Sequence, residues 1–583
     1  MKTIKVWATY ANKVEIQIKN ARLPLIKGDN NWWFIETPFA EHGNDYVFIL
    51  DGGQSLPDPR SLWQPWGAFG ASRILDHDRF LWQDETWQTP PLSSAIIYEL
   101  HIGTFSDEGT FDGAINHLDF LKDLGITHVE IMPINSFSGL RGWGYDGVNI
   151  YAPQESYGGP EGFKRFVNAC HSKGLSVVLD VVYNHFGPEG NYLDHFGPYF
   201  TDRYSSPWGK SVNVDGQESD EVRRFFCDNA LMWLRDYHVD VLRLDAVHAI
   251  IDNSATHILE QLAHEVKELQ NLQKRNFYLI TESDLNDARH LRPWDLGGYG
   301  IDAQWNDDFH HALHAILTGE RTGYYSDFGS LTDLQKAYTK AFVYDGCYSS
   351  FRKRTHGRPA EGVTGSNFIG YLQNHDTIGN RMHGDRFSTL VNINQLKIGA
   401  ALVFVAPFIP MLFQGEEWGS KTPFLYFTDL QNPELSNAVV AGRVREFAAF
   451  GWKLAEIPNP QFIDTFLKSK INWEEMRQEQ HESILNWHRE LIILRKRFAE
   501  LNDGSLDRVK VIFNAEEKWF VVKRGKVITV VNFSSNVQIF QREKLQLENM
   551  DLTILLNSDS KNLIENEKLI LHPESVTILS LKN

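Results

Sequence analysis

The sequence predicts an α/β protein: a central (β/α)8 barrel of the TIM type, preceded by a β-sandwich and followed by an antiparallel β domain. Three observations carry this. Between Ala95 and Phe498, short apolar runs alternate with amphipathic stretches, the pattern of repeated βα units around a parallel sheet. Both flanks lack long helical periodicity and read as short strands between turns. At 583 residues the chain is too long for one domain. The expected division is 1–90, 91–502 and 503–583.

Each element follows in order. In the first segment Val14–Ile18 alternates and Tyr46–Leu50 reads as a second strand; Gly52-Gly53 and Pro57-Asp-Pro59 punctuate, and Thr89-Pro-Pro91 reads as a linker. Ile96–Leu100 is the first buried strand. Ile115, Leu118, Leu121 and Leu124 mark a helix stopped by Gly125. His128–Met132 is the second strand. Helix Glu161–Lys173 and strand Leu175–Val182 form the third unit, and helix Asp220–Tyr237 leads to the fourth strand at Asp240. Helix Leu259–Leu269 and strand Asn276–Ile280 follow. A weaker sixth strand near Gly300–Trp305, then Phe368–Leu372 and Met411–Phe413, complete the eight of a barrel. Ser483–Phe498 is the last helix. Trp519–Lys523, Val527–Asn532 and Ser575–Ser580 are C-terminal strands.

Composition narrows the partners. A net charge of -18 argues against nucleic acid and against an anionic membrane, and suits a neutral substrate. Seventeen Trp and twenty Tyr supply flat apolar faces that stack on sugar rings, although most serve a large core. Trp32, Trp33, Trp63 and Trp66 in the first segment read chiefly as packing residues. Cys170, Cys227 and Cys347 lack metal-ligand spacing and point to a reducing compartment. The start carries no signal-like segment, and no apolar run reaches the roughly 18 residues of a membrane span. The expectation is a cytoplasmic protein; the sequence is silent on oligomeric state.

The chemistry centres on Asp240-Val-Leu-Arg-Leu-Asp-Ala-Val-His248. In a strand, Leu242 and Leu244 face one side, Arg243 and Asp245 the other. An arginine and a carboxylate on an apolar strand are costly unless paired or used. Arg243 would hold Asp245 ionised, as a nucleophile requires; the alternative is a structural ion pair. Further polar groups follow other strands at the end where barrel enzymes place their sites: Asp180 to His185, Glu282 to Asp284, and Gln373 to Asn380 and Arg381. Two carboxylates in different environments suggest acid/base and nucleophilic work at an acetal carbon. Glu282 ends an apolar run, with Asp376 as like-charged company, and is the candidate acid. Asp307, Asp308, His310 and His311 crowd one short stretch after the sixth strand and fit a polar clamp; Asp307 fits a helix N-cap as well. The histidines follow different strands and form no paired helical motif, so metal hydrolysis ranks below glycoside hydrolysis. The loop Phe186–Asp202 offers Glu189, Asn191 and Asp194 but no dense acidic cluster, so no required metal is expected. No Gly-rich nucleotide loop and no Gly-x-Ser-x-Gly elbow is present, and no cofactor is expected.

These stretches resemble the α-amylase family of glycoside hydrolases. Its four short motifs match Asp180–His185, Arg243–His248, Glu282 with its strand, and Asn374-His-Asp376, in order and spacing. The resemblance implies that Asp245 is the nucleophile, Glu282 the acid/base and Asp376 a transition-state stabiliser. It implies that His185 and His375 bond the sugar at the cleavage site and that Tyr145 stacks beneath it, with Arg243, His248, Asn380 and Arg381 among the substrate-binding set. Within the family the nearest likeness is to enzymes acting on an α-glucan oligosaccharide ending in trehalose. It is carried by Asn184–Leu193, Trp305–Leu313 with Gly323-Tyr-Tyr325, Phe413–Trp418, Gly442–Phe447, and Ile457–Gln461 with Ser469-Lys470. Asn306, Asn459 and Thr281 are small departures. A glycogen branching enzyme, a general α-glucan hydrolase and a non-catalytic sugar-binding scaffold are the alternatives. The intact Asp245, Glu282 and Asp376 speak against the scaffold, and the Asp-Asp-Phe-His-His run against the branching enzyme.

Overall fold

In the computed structural model, which describes residues 2–206, 208–449, 457–546 and 551–581, the eight parallel strands close in sequence order. They are β1 (Ile97–Leu100), β2 (His128–Ile131), β3 (Ser176–Val181), β4 (Val241–Leu244), β5 (Tyr278–Thr281), β6 (Ala303–Trp305), β7 (Phe368–Tyr371) and β8 (Ile409–Phe413). β8 closes the ring by pairing with β1. Helices cover the outside and side chains fill the inside, so the strands are buried along almost their whole length. That double burial is why they read as continuous apolar runs rather than as alternation.

The barrel register sets the site. Asp180 on β3 lies directly beside Arg243 on β4, and Leu244 beside Thr281 on β5. Neighbours in a parallel register share a face, so Asp180 and Arg243 both look into the barrel.

The first segment holds two antiparallel sheets, one around Lys2–Trp7 and Trp32–Thr37, the other around Val14–Ile18 and Asp45–Leu50. Their inward residues Ile4, Val6, Trp33, Ile16, Ile18 and Phe48 belong to one buried core. At the other end, Val509–Asn514, Trp519–Arg524, Val527–Asn532, Ser575–Leu581 and Leu552–Asn557 form a five-stranded antiparallel sheet with its own core. Three hairpins had no sequence signal: Asn135–Ser136 with Asn149–Pro153, Phe200–Ser206 with Gly209–Val212, and Asp345–Ser349 with Arg354–Gly357. The last two are largely exposed and polar, so apolar alternation never marks them. The stretch Ile398–Phe413 divides as expected into the end of helix Ile393–Val405 and strand β8. Among the described residues no helix is long and apolar enough to cross a membrane.

The segment entering the barrel is fastened beneath β4. Asp240 is fully buried and accepts from Trp87 Nε1, Thr89 Oγ1, Arg275 Nη2 and the Val177 amide at 2.7–2.8 Å. His171 bridges Asp240 and Asp84 at 2.9 and 2.7 Å. Burial alone would raise Asp240, but His171 and Arg275 hold it far below the usual carboxylate range. Burial would lower His171, but Asp240 and Asp84 raise it. The depressed carboxylate stabilises above its unfolded value and fails as pH falls; the raised imidazole stabilises below its unfolded value and fails as pH rises. The cluster therefore contributes most between about pH 4 and 6.5. Asp240→Asn should cost about 3 kcal/mol, because it removes one of the two carboxylates that hold the buried His171 and the 2.8 Å partner of Arg275. A thermal midpoint unchanged near pH 5.5 would refute this.

Candidate active site

One arginine organises the open end of the barrel. Arg243 is fully buried, and its guanidinium lies 4.1 Å from the centre of the Trp305 ring. Its Nη1 donates to both oxygens of Asp180, at 3.0 and 2.8 Å, and to Asp245 Oδ1 at 2.8 Å. Its Nη2 donates to Glu282 Oε2 at 2.8 Å. The sequence suggested a clamp on Asp245 alone. The structure shares the guanidinium among three carboxylates, because the in-register neighbour on β3, Asp180, and the residue just past β5, Glu282, bring their own acids to the same place.

The two carboxylates of interest are held differently. Asp245 also accepts from Asn184 Nδ2 at 2.7 Å, and its side chain is 10% exposed. Glu282 also accepts from the Ala246 amide at 3.0 Å and is 20% exposed. Ala246 sits at φ 39°, a left-handed conformation rare for alanine, and this turn aims its N–H at Glu282. Such strain at a residue following a candidate nucleophile is a feature sequence reading could not see. Arg243 and Asp180 lie beneath, closed to solvent, while Asp245 and Glu282 reach the opening.

Around them, Asp376 is 41% exposed, 3.5 Å from His375 Nε2, and accepts from Asn380 Nδ2 at 3.2 Å. Asn380 Oδ1 accepts in turn from Arg443. Tyr145 donates to Asp180 Oδ2 at 2.7 Å and lies 2.8 Å from His375 Nε2, with the rings nearly parallel. Gly144 places Tyr145: at φ 98° its Cα runs so close to the Pro133 carbonyl that a Cβ would sit 2.0 Å from it. His185 Nε2 meets the Tyr145 carbonyl at 3.0 Å, and its ring stacks on the half-exposed Trp208. Burial lowers His185 to about 4, so it is neutral. Burial pushes Asp180 up to about 7, the Asp245 charge adding to this and Arg243 opposing it.

The remaining predicted residues divide. Asp307 opens helix Asp307–Thr318 and bonds the Tyr371 hydroxyl; the N-cap is Asn306, whose side chain accepts from the Phe309 amide. Burial raises Asp307 to about 7, with the charges of Glu282 and Asp284 adding to it. His311, one turn on, stacks on Tyr324. Asp308 and His310 are taken up internally: Asp308 by Asn286 and the amides of Val343 and Tyr344, His310 by the Leu372 carbonyl and the Tyr325 hydroxyl. His248 lies 4.0 Å from Asp284. Arg381 pairs with Glu320 at 2.9 Å. Glu189, weighed as a possible metal ligand, instead bonds Ser138 and the amides of Gln431 and Asn432. Among the described residues no cluster of His, Cys, Asp and Glu is arranged to hold a metal ion. Of the stretch Gly442–Phe447, the last two side chains lie outside the described residues.

Sequence reading missed Glu99. It sits on β1, 1% exposed, and accepts from His375 at both its amide and its ring. The available signal was the one that exposed Arg243: a charge in the middle of an apolar strand.

A family model of the alpha amylase catalytic domain matches residues 77–206. The malto-oligosyltrehalose trehalohydrolase of Arthrobacter ramosus is 49% identical over 87% of this chain and 90% of its own. That of Saccharolobus solfataricus is 46% identical over 92% and 91%. Among solved structures, a candidate alpha amylase from Salmonella typhimurium superposes with a TM-score of 0.89 at 34% identity, over 99% of this chain and 97% of that one. With identity of this order over nearly the whole length, and the barrel and its acidic rim in place, the chain belongs to the malto-oligosyltrehalose trehalohydrolase family of α-amylase-type glycosidases.

Proposed function

We propose that the protein is a retaining glycoside hydrolase that cuts the α-1,4 bond next to the terminal trehalose of maltooligosyl trehalose and releases trehalose. The observation that carries the mechanism is the sharing of Arg243 by Asp245 and Glu282 at the open end of the barrel. Two carboxyl groups gathered on one guanidinium are close neighbours, as double displacement needs; an inverting pair stands further apart to admit water. Asp245 attacks the anomeric carbon. Glu282 gives its proton to the leaving oxygen and then takes one from water. Arg243 and the Ala246 amide occupy Glu282 Oε2, so the proton it gives is carried on Oε1. Asp376, exposed beside His375, meets the sugar hydroxyls as positive charge develops on the ring.

The test is product analysis by NMR. Maltooligosyl trehalose should yield free trehalose and a maltooligosaccharide first released as its α-anomer. A β-anomer as first product would overturn double displacement. New α-1,6 links formed from a long α-glucan, without trehalose release, would establish the branching-enzyme reading instead.

A further inference from the structure

We propose that Glu99 is a positioning residue that keeps His375 doubly protonated, so that Nε2–H is a donor at the cleavage site; this rests on the function proposed above. Glu99 has no place in that mechanism, yet it is a buried carboxylate on β1, with both oxygens turned to one residue. Its Oε2 accepts the His375 amide at 3.1 Å and its Oε1 meets Nδ1. Both side chains are 1% exposed. A buried acid so placed costs stability unless it is paired or used.

Hydrogen accounting fixes the protons. With Glu99 as the carboxylate, Nδ1 faces an acceptor-only oxygen and carries a hydrogen. On the other side of the ring, Nε2 faces the Tyr145 hydroxyl at 2.8 Å. That hydroxyl has one proton, and it donates to Asp180 Oδ2 at 2.7 Å. Asp180 already accepts at both oxygens from Arg243, which makes it an acceptor for Tyr145 as well. The tyrosine oxygen is then left to accept from Nε2, and both ring nitrogens carry hydrogen. The accounting holds above about pH 7, where Asp180 is ionised.

The groups facing His375 agree. Glu99 comes from β1, Glu130 from β2, Asp180 from β3 and Arg243 from β4; Tyr145 and Asp376 complete the shell, and His101 lies beyond β1. Burial opposes the charged ring and Arg243 repels it, but Asp376 and Glu99 raise it to about 9. Burial lowers His101 to about 4, so it adds no charge. Among the described residues the oxygens of Glu130 have no hydrogen-bond partner, and burial together with the Glu99 charge pushes that acid far up, so it stays neutral. A neutral His375 would lose either its hold on Glu99 or its donation toward Tyr145 and the sugar.

The test uses the full chain with Glu282→Gln, which prevents turnover and removes the acid's own titration. Affinity for maltotriosyl trehalose and for maltopentaose is measured by calorimetry at several pH values. With Glu99 intact, affinity should stay flat between about pH 7 and 8.5. With Glu99→Gln added, it should fall about tenfold across that interval. A purely structural Glu99 would weaken binding equally at every pH, and that result overturns the proposal. A fall across pH 7 to 8.5 with Glu99 intact overturns it too, and this arm decides even if Glu99→Gln does not fold. Binding of maltopentaose alone would refute the trehalose reading, while the pH comparison on that ligand still decides the role of Glu99.

Discussion

Asp245→Asn and Glu282→Gln should each reduce kcat on maltooligosyl trehalose by at least about 10³-fold while leaving the fold intact. On the proposed mechanism the first removes the oxygen that forms the glycosyl-enzyme bond. On the same mechanism the second removes the proton that the leaving sugar oxygen needs. Neither should unfold the barrel, because Arg243 keeps Asp180 and one of the two remaining partners in each variant. Circular dichroism and the thermal midpoint check the fold, and single-turnover kinetics separate the steps. A slow second step with an accumulating covalent intermediate is expected of Glu282→Gln with an activated glycosyl donor. Asp376→Asn should lower kcat more than it weakens substrate binding, since its contacts strengthen as charge develops on the ring. Turnover near that of the unmodified protein in Asp245→Asn or Glu282→Gln would remove these residues from the mechanism.

The legibility of the site in the sequence follows from where its residues sit. Arg243 and Asp245 were readable because charged residues interrupt a strand that is otherwise Val and Leu, and such an interruption requires a partner or a use. The eight strands were readable because burial on both faces leaves runs of apolar residues. Asn184 and Glu282 follow strands and were found as rim residues. Their bonds to Asp245 and Arg243 depend on the β3, β4 and β5 register, which a linear reading does not contain. The strained Ala246 turn is invisible for the same reason: alanine carries no signal for a left-handed conformation. The hairpins Phe200–Ser206 with Gly209–Val212 and Asp345–Ser349 with Arg354–Gly357 escaped because they lie outside the core and their strands are largely polar. The run from Asp307 to His311 was readable as a dense polar stretch, but helical geometry sorts it. Residues four apart share a face, and adjacent ones do not.

That sorting sharpens the expectation for substrate choice. Asp307 and His311 lie one turn apart; the intervening Asp308 and His310 are bound to the protein itself. The Asp307 carboxyl is raised to about 7 by burial and by the Glu282 and Asp284 charges, and the Tyr371 hydroxyl is bonded to it. Burial lowers His311 to about 3, leaving it neutral, and its ring stacks on Tyr324 at 5.0 Å. A neutral ring and a carboxyl poised to donate or accept are suited to sugar hydroxyls on the leaving-group side. Trehalose turns its last ring through an α-1,1 link and has no free anomeric carbon. A site built for that ring leaves polar groups unpaired when an ordinary maltooligosaccharide enters, and unpaired groups discriminate strongly. The unmodified protein should therefore favour maltooligosyl trehalose by at least about 10² in kcat/KM over a maltooligosaccharide of equal length. Asp307→Ala or His311→Ala should narrow that ratio about tenfold, with a smaller loss of basal amylase-like hydrolysis. Asp308→Ala should instead lower the melting temperature, because it frees two buried amides. Equal efficiency on the two substrates in the unmodified protein would leave only a general α-glucan hydrolase. An unchanged ratio in both Asp307→Ala and His311→Ala would move the trehalose contacts to another part of the rim.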